Sequence, residues 1–314
     1  MVSRSSIKQD LHRRDFTINT MAIRLDPQRW GELLDFYGGQ SDLEEGVIRV
    51  LHSLSFVDDP TRILRAARFE ARLEFQLDQR SASLIEEALP LLNRITGERI
   101  RHELDLIFQE ERPERALDRL QEFGVLQTLH PNLQSDTWIR NRFRRLRTSF
   151  NPGQWQLSDE DAQFLYWSIF LYRLDDPAFE AIERRPRLWS RLVDTHTWAR
   201  EAQAVTEPLK EANKPSEIVT LLEPYALNIL AVLWLVTDDG EVRGKLEQYA
   251  DAWYKVKPHI DGNDLKQIGL EPGPRFRTIL TALKGAKLDG EVTTREEEIN
   301  YVRDHFPPAN AGES

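Results

Sequence analysis

From residue 58 to the end of the chain, apolar residues recur almost everywhere at helical spacing. Positions three and four apart lie on one face of a helix, so each recurrence predicts an amphipathic helix with one buried side. This pattern limits the chain to a mainly helical fold. The clearest stripes are Leu84, Ile85, Ala88, Leu91 and Leu92; Ile100, Leu104 and Ile107; and Ala116, Leu117, Leu120 and Phe123.

Two segments before residue 58 depart from helical spacing. "DFTINTMAIRL" at 15–25 alternates apolar and polar residues imperfectly, which predicts a strand packed on one face. "GELLDFYGGQSDLEEGVIRVL" at 31–51 predicts a second short strand, a glycine turn, a brief acidic helix and an apolar run. Because two or so short strands do not form a stable sheet alone, we expect them to be the remnant of a larger sheet.

Composition excludes several classes of protein. The chain has no cysteine, which excludes disulfides, zinc–thiolate sites and thiol nucleophiles. No apolar run approaches the roughly eighteen residues of a membrane span, and the N-terminus has no apolar stretch of the secretory kind. We therefore expect no membrane partner and a cytoplasmic location.

The charge of the chain is uneven. Residues 1–150 are close to neutral with a net charge of −1, whereas residues 151–314 carry −9. In the first part Lys8 is the only lysine, and every other cation is arginine. The planar fork of arginine suits bidentate contacts with phosphates and base edges, although a compositional bias of the genome explains the total equally well.

The segment "DDPTRILRAARF" at 58–69 combines a core-like helix with regularly spaced charges. Residues three apart are neighbours on a helix, so Asp59 and Arg62 can present an acceptor and a donor fork to one partner. A structural interpretation is also open, in which Asp59 caps the helix, Pro60 is its first residue and the charges form a surface ion pair.

Four motifs follow one another in the order and spacing of a known family: "LHRRDFTINTMAI", "LLDFYGGQSDLEEGVIRVL", "SFVDDPTRILRAARFEARLEF" and "RITGERIRHELDLIF". Together with the tail "IDGNDLKQIGLEPGPRFRTILTALKGAKLDGEVTTREEE", they resemble class II tRNA nucleotidyltransferases, the family of CCA-adding enzymes and bacterial poly(A) polymerases. The resemblance covers roughly residues 7–125 and 258–300. It implies a nucleotidyltransferase that adds C and/or A to tRNA 3′ ends, with CTP and ATP as substrates.

The resemblance implies a protein template that reads the base of the incoming nucleotide. Asp59 and Arg62 match the reading pair, and Asp58 stands where the family usually has glutamate. Further nucleotide contacts are implied for Arg65 and Arg68, and for Arg14, Asp15 and Asn19. A structural alternative remains open for Arg14, which could be a solvated charge. Arg99 and Glu103 match a helix-bracing motif of the family, but their i, i+4 spacing is also that of an ordinary helix ion pair.

One feature of the family is not visible. The resemblance implies Mg²⁺ held by an Asp-x-Asp pair upstream of the R-R-D motif, but only Asp10 offers a carboxylate before Arg13. No replacement metal site is predicted. A truncated chain, an upstream or partner segment that supplies the carboxylates, and a non-catalytic RNA-binding module are all open.

We expect four regions: a C-terminal remnant of an α/β nucleotidyltransferase head at 1–55, a helical neck for nucleotide recognition and RNA binding at 56–125, a helical body at 126–255 and a helical tail at 256–314.

RNA contact is predicted for the arginines of "WIRNRFRRLRTSF", because clustered arginines beside aromatics bind the RNA backbone and stack on bases. A solvated helix face is the alternative. These arginines are Arg140, Arg142, Arg144, Arg145 and Arg147. The RNA is expected to be a tRNA or another RNA 3′ end; polyadenylation and a helical interaction scaffold are the alternative functions.

Overall fold

The computed structural model describes residues 6–184 and 190–307. The chain divides into two compact units, one formed by residues 1–149 and 162–193 and the other by residues 150–161 and 194–314. The outer ends of the predicted head remnant and tail, and residues 185–189 of the predicted body, lie outside the described residues. The predicted boundaries after residues 55, 125 and 255 stay predictions.

The described part of the chain is mainly helical, as the periodicity predicts, and it contains only short strands. In the first unit, β1 (Ala22–Ile23) pairs antiparallel with β2 (Leu33–Leu34), and β3 (Val47–Ile48) pairs in parallel with β4 (Gln76–Leu77). Phe16 also forms an isolated antiparallel bridge with Val50.

Most other regular elements of the first unit are α-helices. They are α1 (Ile7–Leu11), α2 (Gly39–Glu45), α3 (Ser55–Asp58), α4 (Thr61–Leu73), α5 (Gln79–Ser83), α6 (Ile85–Ala88), α7 (Gly97–Phe108), α8 (Pro113–Glu122), α9 (Val125–Leu129), α10 (Thr137–Ser149), α11 (Ala162–Leu171), α12 (Asp176–Arg184) and the start of α13 (Ser190–Ala202).

The strand predicted over 15–25 is wrong in its middle. The segment makes a 3₁₀ turn at Thr17–Asn19 and becomes a strand only at β1. The cause is local hydrogen bonding, which competes with a strand ladder: the Thr20 hydroxyl donates to the Thr17 carbonyl at 2.6 Å, and the Thr17 hydroxyl donates to Asp42 at 2.5 Å. The predicted second strand, the αL turn at Gly38 and the acidic helix α2 are present.

Helix α4 is the centre of the first unit. Its apolar face, with Ile63, Leu64, Ala66 and Ala67, is fully buried, and α7 and α8 pack against it. The buried carboxylate of Glu70 accepts the Leu77 backbone N–H at 2.7 Å, which ties α4 to strand β4. One helix thus supplies both core packing and an arginine-bearing face.

The second unit is helical throughout its regular elements. It contains the rest of α13, then α14 (Thr206–Glu211), α15 (Pro215–Leu222), α16 (Leu227–Val236), α17 (Gly240–Asp251), α18 (Gly262–Gln267), α19 (Pro274–Leu288) and α20 (Arg295–His305). The capping box of Thr294 and Glu297 opens α20. In the tail, the fully buried Glu298 accepts the backbone N–H groups of His259 and Ile260 at 2.7 and 3.0 Å.

Among the described residues, no single helix is both long and apolar enough to cross a membrane. Only the bent pair of α15 and α16, which meet at 104°, reaches that length and composition together.

Gly39 gives a prediction about the segment that precedes β1. A Cβ at this position would lie 2.4 Å from the Thr17 carbonyl oxygen, a backbone atom that yields only if the segment shifts. We expect Gly39→Ala to destabilise the protein by about 1–3 kcal/mol, because overpacking forces a backbone displacement. The free energy of unfolding measured by chemical denaturation checks this.

The matched control is Gly244→Ala, because a Cβ at this helical position meets nothing within 4 Å. Alanine has the higher helix propensity, so this variant should be neutral or more stable by up to about 1 kcal/mol. Equal stability of the parent and Gly39→Ala would contradict the close approach.

Candidate functional site

The start of α4 is built around the carboxylate of Asp59. Its Oδ1 accepts the Thr61 backbone N–H at 3.1 Å and the Thr61 hydroxyl at 2.7 Å. The predicted capping contact is therefore present, but α4 begins at Thr61, one residue later than predicted, and Pro60 takes the N-cap position. Asp59 itself is extended, as expected for a residue before proline.

Arg99, on α7, holds the same carboxylate from the other side. Its Nη2 donates to Asp59 Oδ1 and Oδ2 at 2.9 and 2.8 Å, and it lies 3.3 Å from the Thr61 hydroxyl. Within the described residues its ion-pair partner is thus Asp59 and not Glu103, so the open question of an i, i+4 pair is decided in favour of a contact with the start of α4.

Arg62 extends from the first turn of α4 toward the N-terminal segment. Its Nη2 donates to the Arg13 carbonyl at 3.0 Å. Its Nη1 is buried and has no hydrogen-bond partner. A buried guanidinium nitrogen that donates to nothing is costly, so this atom marks a place where an acceptor is missing.

Asp15, Arg65 and Glu103 form an ion-pair network one turn further along α4. The Arg65 Nε and Nη2 donate to Asp15 Oδ2 at 2.7 and 2.5 Å, and Arg65 Nη1 lies 3.6 Å from Glu103. Asn19 donates to Asp15 Oδ1 at 2.8 Å, which gives this half-buried amide a partner. Three separate segments therefore meet at Arg65.

Electrostatics keep the Asp15–Arg65 pair ionised. Burial alone would raise the pKa of Asp15, but the hydrogen bond from Asn19 and the charge of Arg65 outweigh it and lower that pKa. Burial likewise acts to lower the pKa of Arg65, and the attraction of Asp15 outweighs it and raises the value.

These side chains line one pocket of about 710 Å³ between the N-terminal segment, α4 and α7. It brings together six of the eight predicted nucleotide-binding residues, with five arginines and three carboxylates in its lining. The lining residues are Arg13, Arg14, Asp15, Asn19, Asp59, Thr61, Arg62, Arg65, Phe69, Arg99, His102 and Glu103.

Two predicted nucleotide-binding residues lie outside the lining of this pocket. Asp58 ends α3, with an exposed side chain 3.9 Å from His52. Arg68 is buried between Glu103 and Glu110, at 4.0 and 3.5 Å. Burial and the charges of the neighbouring arginines lower the pKa of Arg68 against the attraction of the glutamates.

Sequence reasoning did not single out Thr61, Phe69 or His102, which all line the pocket. The signal for Thr61 was its position directly after Asp-Pro, where a hydroxyl can bond back to the aspartate. Phe69 had a core interpretation, and it does pack edge-to-face on Phe16 at 5.7 Å.

The five predicted RNA-binding arginines of α10 do not share one exposed face. Arg142 is buried and lies over the Trp138 ring at 4.7 Å. Arg140 pairs with Asp118 at 3.0 Å, and Arg147 donates to both oxygens of Glu114 at 2.7 Å. Arg144 is exposed and donates to Asn141, and Arg145 is half-buried. Two of the five thus attach α10 to α8.

No group of three or more His, Asp or Glu side chains lies close enough to hold a metal ion within the ranges that the structure describes. The donors of the pocket do not change this, because its carboxylates are each committed to arginine partners.

Comparisons with known proteins agree on one family. A model of the "Poly A polymerase head domain" matches residues 1–49, and a model of the "Probable RNA and SrmB-binding site of polymerase A" matches residues 74–137. An A-adding tRNA nucleotidyltransferase of Halalkalibacterium halodurans is 30% identical over 97% of this chain and 70% of its own length. The A-adding tRNA nucleotidyltransferase of Geobacter sulfurreducens is 34% identical over 96% of this chain, and the match covers 36% of that protein's length. The match to the A-adding tRNA nucleotidyltransferase of Aquifex aeolicus covers 33% of that protein's length.

Solved structures give the same answer. The Thermotoga maritima CCA-adding enzyme complexed with tRNA matches 96% of this chain and 74% of its own, at 34% identity and a TM-score of 0.78. A CCA-adding enzyme in complex with CTP and another in complex with ATP match at 35% identity, each with a TM-score of 0.78.

The Asp15–Arg65 pair gives a prediction about pH. Because the pKa of Asp15 is lowered, its carboxylate stabilises the fold fully above its ordinary value of 3.8 and loses this contribution as the pH falls through the lower folded-state value. We expect Asp15→Asn to lower the free energy of unfolding by about 1–3 kcal/mol at pH 7. The effect is not larger because solvent reaches the partly exposed Arg65 and screens part of the attraction.

The measurement is chemical denaturation at several pH values between 7 and 3, where the difference between parent and variant should shrink below pH 3.8. Asp10→Asn is the control, because this exposed carboxylate pairs with exposed Arg13 and should change stability by no more than about 0.5 kcal/mol. A difference between parent and variant that does not shrink as the pH falls below 3.8 would contradict the charge-based account.

Proposed function

Since the chain belongs to the tRNA nucleotidyltransferase family, which includes A-adding and CCA-adding enzymes, we propose that its pocket binds CTP or ATP for template-independent addition of C and/or A to a tRNA 3′ end. The proposal covers this chain together with the segment that supplies the metal-binding carboxylates, because the chain spans about a third of the first relatives' length.

The observation that carries the proposal is the arrangement of Asp59 and Arg62 in one pocket. Cytosine and adenine each present an amino donor beside a ring-nitrogen acceptor, whereas uracil and guanine present a carbonyl acceptor beside an N–H donor. A carboxylate beside a guanidinium therefore complements the first two bases and not the others. Arg62 Nη1 has no acceptor within the described residues, so the guanidinium is not fully committed to partners in the protein.

The triphosphate is assigned to the arginines that line the pocket beyond this pair. Arg14 is exposed at the pocket wall, and Arg65 is fixed by Asp15 with part of its side chain open to solvent. Guanidinium groups bind phosphate oxygens in a bidentate manner. Arg68 and Asp58 support nucleotide binding indirectly, through α4 and α3.

Mg²⁺ is the metal that the family resemblance implies for the transfer reaction. The described residues hold no donor cluster that fits it, so we assign it to carboxylates of an additional segment and attribute no step to it. The residues of this chain bind and orient the nucleotide. A cytoplasmic location, where tRNA and nucleoside triphosphates occur, is part of the proposal.

The RNA substrate is proposed to contact α10, where Arg144 is exposed, and the region 74–137 that matches the RNA-binding family model. Arg140, Arg142, Arg145 and Arg147 then contribute mainly by fixing α10 in place. A transfer assay with tRNA and with an unstructured RNA distinguishes tRNA completion from polyadenylation.

Removal of the donor fork tests nucleotide binding directly. Arg62→Ala should weaken CTP and ATP binding by about 1–3 kcal/mol, the value of one bidentate contact with a base. Isothermal titration calorimetry measures this, with circular dichroism to verify the fold. Arg80→Ala is the control, because Arg80 is exposed and lies outside the pocket lining. Equal affinities of the parent and Arg62→Ala would remove the proposal.

The RNA contact has its own test. Arg144→Ala should weaken tRNA binding and reduce the slope of log affinity against log salt by about 1, because one phosphate contact is lost. Arg184→Ala, another exposed arginine, is the control. If both variants behave like the parent in fluorescence anisotropy titrations, α10 is not the RNA surface.

A further inference from the structure

The polar residues that line the pocket are almost all engaged with other residues of the protein. Each carboxylate of the lining pairs with an arginine, and each arginine has a carboxylate or a main-chain carbonyl as its partner. The Asn19 amide and the Thr61 hydroxyl each donate to one of the carboxylates. His102 is different: within the described residues, this exposed imidazole makes no hydrogen bond and no ion pair.

Contacts between α4 and α7 give the position of His102 along the pocket. Three contacts join residues whose numbers differ by 38, so the two helices run parallel and in step. These contacts are Thr61 with Arg99, Arg65 with Glu103, and Arg72 with Glu110. At a rise of about 1.5 Å per residue, His102 therefore lies level with residue 64, about 3 Å past Arg62 and about 1.5 Å before Arg65.

The orientation proposed for the nucleotide brings its ribose to this level. The base is assigned to Asp59 and Arg62 at the start of α4, and the triphosphate is assigned to Arg65, one turn later, and to Arg14. The ribose joins the base to the triphosphate, so it lies between them. A ribose hydroxyl that enters the pocket loses water, and it weakens binding unless it gains a hydrogen bond from the protein.

The imidazole of His102 suits a hydroxyl group. In a neutral imidazole one nitrogen donates and the other accepts, and a hydroxyl likewise donates and accepts. Asp105, the carboxylate one turn further along α7, accepts the indole N–H of Trp167 at 2.7 Å and makes no hydrogen bond with His102 in the part of the chain that the structure describes. His102 therefore has both the position and the hydrogen-bonding capacity that a ribose hydroxyl requires.

We propose that His102 binds a ribose hydroxyl of the incoming nucleotide. This inference rests on the proposed function, and it adds a ribose contact from α7 to the base and triphosphate contacts assigned above. CTP and ATP carry the same ribose. The contact therefore strengthens the binding of both nucleotides and does not distinguish between them.

Two other roles for His102 predict different data. A contact with a phosphate or with the base would weaken nucleotides equally whether or not they carry both ribose hydroxyls. A histidine that only faces solvent would leave every affinity unchanged on removal. A ribose contact alone couples the effect of the imidazole to the presence of one hydroxyl.

The experiment measures the affinities of CTP, ATP, 2′-deoxy-CTP and 3′-deoxy-CTP for the parent and for His102→Ala by calorimetry. We expect His102→Ala to bind CTP and ATP about fivefold more weakly, the contribution of one hydrogen bond. The analogue that lacks the bonded hydroxyl should bind the variant as well as it binds the parent, because the partner of the imidazole is already missing. The other analogue should show the fivefold loss and thereby identify which hydroxyl is bound.

Two further variants separate hydrogen bonding from packing. His102→Gln keeps a donor and an acceptor and should retain most of the affinity for CTP, whereas His102→Phe keeps only a ring and should behave like His102→Ala. His305→Ala is the control, because this exposed histidine stacks on Tyr301 in the second unit and does not line the pocket. Circular dichroism verifies the fold of each variant.

The outcomes separate this inference from the proposed function. An equal weakening of CTP and of both deoxy analogues in His102→Ala would overturn the ribose contact and leave the proposed function intact. An unchanged affinity for CTP in His102→Ala would do the same. A parent that binds neither CTP nor ATP would overturn both.

Discussion

The ion pair between Arg65 and Asp15 is the contact on which the arrangement of the pocket depends. Arg65 belongs to α4, Asp15 to the N-terminal segment, and Glu103, the second partner of Arg65, to α7. Desolvation of two charged side chains raises the free energy of the folded state. Their mutual attraction offsets this penalty only when the geometry is good and the remaining polar atoms have hydrogen-bond partners. Here Asn19 and the Phe16 N–H complete the environment of Asp15. The network therefore links the three segments through charged hydrogen bonds in addition to their apolar contacts.

The helical fold could be predicted because it depends on local patterns, and the main members of the pocket could be predicted because four motifs resemble those of a known family. Helical spacing gave the helices of the described part of the chain, and the Asp-Pro pair indicated the start of α4 to within one residue. The resemblance of the ordered motifs to a known family implied Asp59, Arg62, Arg65, Asp15, Asn19 and Arg14, which line one pocket. The middle of the segment at 15–25 could not be predicted, because two threonine hydroxyls decide it through bonds to a carbonyl and to a distant carboxylate.

The partner of each arginine could not be read from spacing either. Three arginines at i+3 steps turn gradually around α4, so Arg62 and Arg65 face the pocket while Arg68 reaches Glu103 and Glu110 inside the unit. Arg99 had one candidate four residues away and another forty residues away, and tertiary packing selected the distant one. The arginines of α10 looked like an RNA-binding face, but the carboxylates of α8 hold Arg140 and Arg147. Spacing along the chain suggests some of the possible ion pairs, but the fold determines which pairs form.

The Arg13 carbonyl that accepts Arg62 has a consequence for how the selectivity of such a pocket can change. A main-chain carbonyl accepts hydrogen bonds whatever residue occupies position 13, so position 62 is suited to a donor by the backbone itself. Position 59 is suited to an acceptor in the same way, because the Thr61 N–H points at it. Exchange of the two residues would place a carboxylate against a carbonyl and a guanidinium against an N–H. Main-chain groups thus favour a donor at position 62 and an acceptor at position 59, so a change in the bases that we propose this pair to read would involve the backbone around α4 as well as the two side chains.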